Sequence, residues 1–166
     1  MISKKIDWQL VVLVCSLIII MIMGVRQSLG LFLEPISQFM KDGKEFFSFA
    51  IGFQAIIWGV VTFGLGILID KFGPQKVLAF GIICFASGIF LMSNPANQLT
   101  LFSATTLMGF GLGGAGMATM VSIAGKVAPP EKRSLAMGLI AAAASFGQFA
   151  VVLPTMWMNK EFGWEI

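Results

Sequence analysis

The chain has 166 residues, of which 57% are hydrophobic and 11% charged, with a formal net charge of +3 and neither His nor Tyr. This composition belongs to the membrane class and leaves no room for a soluble domain. The net positive charge is a topology signal and gives no reason to expect nucleic-acid binding.

The first apolar run, residues 10–33, follows Lys4 and Lys5. No small-x-small cleavage pattern follows it and Arg26 continues the helix, so it reads as a span and not as a signal peptide. Further runs long enough to cross a bilayer cover residues 47–69, 77–92, 99–123 and 135–158, the third being the shortest. No sheet pattern appears. The predicted fold is therefore an all-α membrane protein with five transmembrane helices.

With the N-terminus placed in the cytoplasm, the inner segments hold Lys4, Lys5, Lys71, Lys76, Lys126, Lys132 and Arg133. The outer segments hold Lys41, Lys44 and Lys160, with Asp42, Glu45 and Glu165 among their acids. That bias predicts a multi-pass protein of the plasma (inner) membrane with a cytoplasmic N-terminus. Trp8 and Trp164 fit the two interfacial belts. Cys15 and Cys84 both fall within spans, and without a third Cys or a CxxC spacing they indicate neither a disulfide framework nor a metal site. No cofactor is expected.

The chain matches itself weakly at an offset of 86 residues. Glu45, Ser48, Ala50, Gly52 and Ala55 align with Glu131, Ser134, Ala136, Gly138 and Ala141, and Gly30 and Phe63 with Gly116 and Phe149. The two copies open the second and fifth spans and so enter from opposite faces, as an inverted repeat of three helices plus three requires. The competing reading is a pair of ordinary helix starts, because Ser and Glu both favour the N-terminal end of a helix. Lys71-Phe72-Gly73 has a shifted echo in Lys160-Glu161-Phe162-Gly163.

Segment 66–76, Gly-Ile-Leu-Ile-Asp-Lys-Phe-Gly-Pro-Gln-Lys, is a tight charged loop between two apolar runs. Its pattern Gly66-x-Leu68-x-Asp70-Lys71-x-Gly73 resembles the signature loop between the second and third helices of the major facilitator superfamily. Pro74 and Gln75 stand where that family usually has further basic residues, with Lys76 just beyond. The Gly-Pro variant is similar to the monocarboxylate and oxalate/formate antiporter-like branches. So are Gly24-Val-Arg26-Gln27-Ser-Leu-Gly30, Gly109-Phe-Gly111-Leu-Gly113-Gly114-Ala-Gly116 and Pro129-Pro130-Glu131-Lys132-Arg133-Ser134. The resemblance covers the whole chain but only five of that family's usual twelve helices. It implies an incomplete N-terminal bundle, with the sixth helix and the C-terminal half of the transporter absent and needed as a partner. Thr105 stands where the family's fourth helix often carries Arg, and Gly147-Gln148 replaces the Gly-Pro of drug-antiporter branches.

Arg26 is the sharpest site candidate, because a guanidinium inside an apolar span needs a cavity, a partner or the interface. Its fork also suits a carboxylate. The competing reading is snorkelling towards the outer surface, since Arg26 lies about 27 Å along the helix from Trp8. Gln27, Gln54, Trp58, Ser145 and Gln148 complete the candidate substrate-binding set, on the helices that the resemblance implies line the central path. Taken singly, each polar group is better explained by interhelical hydrogen bonding than by substrate contact. Gly109, Gly113 and Gly116 are read as packing contacts. The resemblance also implies a cytoplasmic gate at Gly66, Asp70, Lys71 and Gly73, with Arg133 and Glu131 as candidate partners of Asp70 and Lys71.

The function read from these residues is secondary transport of a small organic anion, monocarboxylate-like, by alternating access in the lipid bilayer, with a coupling ion as a further candidate partner. The alternatives are export of amphipathic compounds, or a non-transporting truncated fragment or membrane subunit. No hydrolytic triad, metal cluster or nucleotide motif is present, so an enzyme is not expected.

Overall fold

The computed structural model describes residues 7–40, 44–93 and 95–162. Lys4, Lys5, Lys41, Asp42, Gly163, Trp164 and Glu165, which entered the charge and repeat arguments, lie outside them. The described chain is helical, and five helical segments are long and apolar enough to cross a membrane: Trp8–Gln38, Lys44–Phe72, Pro74–Met92, Gln98–Val127 and Pro130–Phe162. Each extends beyond its apolar run at one end or both, because a helix continues for as long as its backbone bonds are met. The exterior is itself apolar, with Phe63 80% and Phe90 78% exposed, which suits lipid contact.

Three spans are interrupted, and Pro accounts for two of the breaks. Span 1 comprises α1 (Trp8–Ser28), a 3-10 turn (Leu29–Phe32) and α2 (Leu33–Met40). Pro35 has no N–H to offer the carbonyl of Leu31, so the helix tightens there. Span 5 comprises a 3-10 turn (Pro130–Lys132), α7 (Arg133–Ala150) and α8 (Val152–Phe162). Pro154 deprives the Ala150 carbonyl in the same way. Span 2 is the continuous α3 (Lys44–Phe72) and span 3 is α4 (Pro74–Met92).

Span 4 was expected to be one helix but is two, α5 (Gln98–Ala115) and α6 (Met117–Val127). Gly116 between them is extended, with φ −82° and ψ −165°. Its partner in the repeat, Gly30, lies in the 3-10 turn of span 1, so the equivalent positions of both copies fall at helix interruptions.

The packing follows the same relation. Span 2 lies along α5 of span 4, and span 5 lies along α1 of span 1, which is the exchange a 3+3 repeat predicts. Burial agrees pair by pair. Ala50 and Ala136 are both 0% exposed, whereas Ser48 and Ser134, Gly52 and Gly138, and Ala55 and Ala141 are exposed. Two ordinary helix starts would not require that match.

Close backbone contact holds the bundle together. A Cβ on Gly81 would lie 2.5 Å from the Gly114 carbonyl carbon, so α4 and α5 touch through their main chains. A Cβ on Gly24 would overlap Val151 and lie 2.7 Å from the Gly147 carbonyl oxygen, which sets the α1–α7 crossing. The core between these contacts contains Ile19, Leu101, Met108, Leu112, Met120 and Ile140.

The charged segment after Gly66 is not a loop. Gly66, Asp70 and Lys71 belong to α3, and Gly73 alone separates α3 from α4. It carries the one positive φ among the described glycines, +85° with ψ 152°. Pro74 then opens α4, where its missing N–H costs nothing. A single permissive residue does the work of a loop.

Candidate functional site

The α1–α7 crossing at Gly24 places Arg26 two residues further along, where its side chain reaches towards span 2. Its guanidinium carbon lies 4.8 Å from the centroid of the Trp58 ring. The Nε is buried without a hydrogen-bond partner, and no carboxylate among the described residues pairs with the group. The one ion pair among those residues is Lys44 with Glu34, 2.7 Å apart and exposed. A cation over an indole face gains about 0.5–2 kcal/mol, and the interaction uses none of the guanidinium N–H donors. Arg26 is therefore held by Trp58 while its fork remains open.

Gln54 sits one turn before Trp58 on α3. It is 1% exposed and its Nε2 has no partner, so a second unmatched donor lies next to the Trp58–Arg26 pair along the same helix face. The other three expected residues are not gathered there. Gln27 and Gln148 are exposed, and so is Ser145, whose hydroxyl donates back to the Ala141 carbonyl at 3.3 Å. Ser145 and Gln148 share a face of α7 as the i, i+3 spacing requires, but that face is the bundle's surface. Thr105, at the position where the resemblance anticipated Arg, is fully buried and donates to the Phe102 carbonyl at 3.0 Å.

The glycines of span 4 divide by neighbour. Gly109 meets Ile57 and Gln54 of α3, while Gly111 meets Phe85 of α4. These are packing contacts, as expected. Gly116 differs, since it breaks the helix and lies beside the Trp58 indole nitrogen. Next to this break an open groove of about 490 Å³ runs between α3 and span 4, walled by Trp58, Gly59, Thr62, Gly113, Met117 and Ala118 among others. Thr119, in the first turn of α6, is 0% exposed and its hydroxyl has no partner. The sequence reading missed the groove, and its only trace was the glycine-rich run that ends at Gly116.

The expected gate residues occupy one end of the bundle, because span 2 ends and span 5 begins on the same side. Asp70 and Lys71 lie in the last turn of α3, Glu131 in the 3-10 turn and Arg133 at the start of α7, and all four are exposed. Neither Asp70 with Arg133 nor Lys71 with Glu131 forms an ion pair. The helices explain why: α3 packs on α4 and α5, whereas α7 packs on α1 and α6. Lys71 instead places its Nζ 5.3 Å from the Phe72 ring centroid.

Comparison with known proteins gives this geometry a context. The family model described as Major Facilitator Superfamily matches residues 8–166. The chain is 28% identical over 144 residues to a probable 4-methylmuconolactone transporter of Cupriavidus pinatubonensis, covering 74% of the chain and 33% of that protein. It is 30% identical over 134 residues to an oxalate:formate antiporter of Oxalobacter formigenes, covering 79% and 31%. To a putative niacin/nicotinamide transporter of Bacillus subtilis it is 25% identical over 104 residues, covering 63% and 26%. The chain thus spans a third or less of the length of these curated relatives. No solved structure matches it.

Proposed function

The chain belongs to the Major Facilitator Superfamily and is a multi-pass membrane protein, and from that premise we propose that it forms the N-terminal part of a secondary transporter for a small organic anion. The observation that carries the reading is Arg26. A charge within a span ordinarily pairs with another charge or with backbone carbonyls. Here the guanidinium is steadied by Trp58, its buried Nε has no protein acceptor, and its planar fork suits a carboxylate. Two relatives bear names that point the same way, one an oxalate:formate antiporter and one a probable anion transporter of Arabidopsis thaliana.

The mechanism is alternating access, in which this bundle rocks against a second half of the transporter. Asp70, Lys71, Glu131 and Arg133, exposed and unpaired at one end, supply the charges that pair when the cytoplasmic side closes. Exposed pairs contribute only about 0.2–1 kcal/mol each, enough to bias two nearly balanced states without locking either. On this reading the N-terminus is cytoplasmic and the plasma membrane is the site of action.

The test is uptake of labelled lactate, pyruvate and oxalate into vesicles that contain the full-length protein. At least one should enter faster than into empty vesicles, and the other unlabelled acids should compete with it. Equal uptake in both kinds of vesicle for all three acids rejects the reading.

A further inference from the structure

Trp58 has two roles in this geometry, since its ring carries the Arg26 guanidinium and also forms a wall of the groove beside the span 4 break. We propose that the anion bound at Arg26 is a monovalent carboxylate with a flat apolar body, the carboxylate on the guanidinium fork and the body in that groove. The inference rests on the anion reading above and specifies which kind of anion.

Charge is the first argument. Among the described residues Arg26 is the one charged side chain well inside a span, all others lying near helix ends. One cation balances one carboxylate. Against this bundle alone, a dianion would bring a second negative charge that no described side chain inside a span balances, at a steep cost in a low-dielectric site.

The groove supplies the second argument. The groove is open on one side, and its volume of about 490 Å³ gives room for a body far larger than formate or acetate. Its lining offers an aromatic ring, the Met117 thioether, the Ala118 methyl and the bare backbone of Gly59 and Gly113. Thr62 adds a hydroxyl, but that hydroxyl already donates to the Trp58 carbonyl at 2.7 Å. The indole N–H of Trp58 lies against Gly116. Such a surface favours a flat hydrocarbon face and gives a second carboxylate no cation.

Gly59 makes the idea testable. No atom lies within 4 Å of a Cβ added there, so a side chain would stand in the groove without disturbing the helix packing. Ala118, exposed on the opposite wall, offers a second position.

The experiment measures equilibrium binding of labelled benzoate, acetate and oxalate to the full-length protein in proteoliposomes. Wild type is compared with Gly59→Leu and Ala118→Leu, with thermal unfolding as the check on folding. Wild type should bind benzoate at least about tenfold more tightly than acetate or oxalate, and either leucine should remove about tenfold or more of the benzoate affinity while leaving acetate within about twofold. Oxalate binding as tightly as benzoate overturns the proposal, and that comparison needs no variant. Equal losses for benzoate and acetate in a leucine variant of normal thermal stability overturn it too. Both of those outcomes leave the anion reading intact. Failure of all three anions to bind, with Arg26→Gln indistinguishable from wild type, overturns the anion reading and the proposal together.

Discussion

Two substitutions with identical chemistry, Gly24→Ala and Gly52→Ala, should have opposite effects. Both glycines are helical, and in an open helix position Ala is favoured over Gly by about 0.5–1 kcal/mol. Gly52 has no atom within 4 Å of an added Cβ, so Gly52→Ala should realise that gain. At Gly24 the same methyl overlaps the Val151 side chain and approaches the Gly147 carbonyl oxygen to 2.7 Å. Val151 is β-branched and has few rotamers in which to retreat, so α1 and α7 must separate. Overpacking of this kind costs about 1–3 kcal/mol, and because the helix gain is common to both substitutions the two variants should differ by about that amount. Denaturant titration of the purified full-length protein in detergent micelles measures the difference. The double variant Gly24→Ala/Val151→Gly should be less damaged than the sum of its parts, because the overlapping side chain has been removed. If Gly24→Ala and Gly52→Ala agree within about 0.5 kcal/mol, the close α1–α7 crossing that positions Arg26 is wrong.

Local geometry supports two smaller predictions. Gly73→Ala forces a side chain into a φ/ψ region reserved for glycine and should cost about 1–3 kcal/mol by the same titration, whereas Gly66→Ala, helical and with nothing within 4 Å of its Cβ, should gain about 0.5–1 kcal/mol as Gly52→Ala does. Asn97→Ala removes the cap of α5, where Oδ1 accepts from the Thr100 N–H at 2.8 Å and from its hydroxyl at 3.0 Å, and should cost about 1 kcal/mol. An Asn97→Asp variant that preserves the acceptor should retain most of that stability, and loss equal to Asn97→Ala would refute the cap.

Most of the fold can be read from the residues, because five apolar runs must be helices in a bilayer and their repeat leaves marks in composition. Ala50 and Ala136 are buried alike because the repeat places them on equivalent helix faces. Helix ends were harder to see. Asp70 and Lys71 are polar, yet the backbone bonds of α3 continue through Phe72 and only the backbone angle at Gly73 ends them. The break at Gly116 was hidden among other glycines, since its neighbours alone distinguish it from Gly109 or Gly111. The site was half legible. A guanidinium in an apolar run singled out Arg26, but its contact with Trp58 joins two different spans and no local pattern encodes that. Gln27, Ser145 and Gln148 were singled out by polarity and by the helices that the resemblance implies line the central path; all three are exposed on this bundle, away from the Arg26–Trp58 contact.

In the proposed transporter Arg26 is the group that holds the carboxylate. Arg26→Lys in the full-length protein retains the charge but loses the planar fork and much of the stacking on Trp58. Uptake of the labelled acid that the wild type transports should fall at least about tenfold with expression unchanged, the loss expected when a bidentate charged contact of about 1.5–3 kcal/mol is removed. Uptake kinetics in Arg26→Lys equal to those of the wild type would contradict that role.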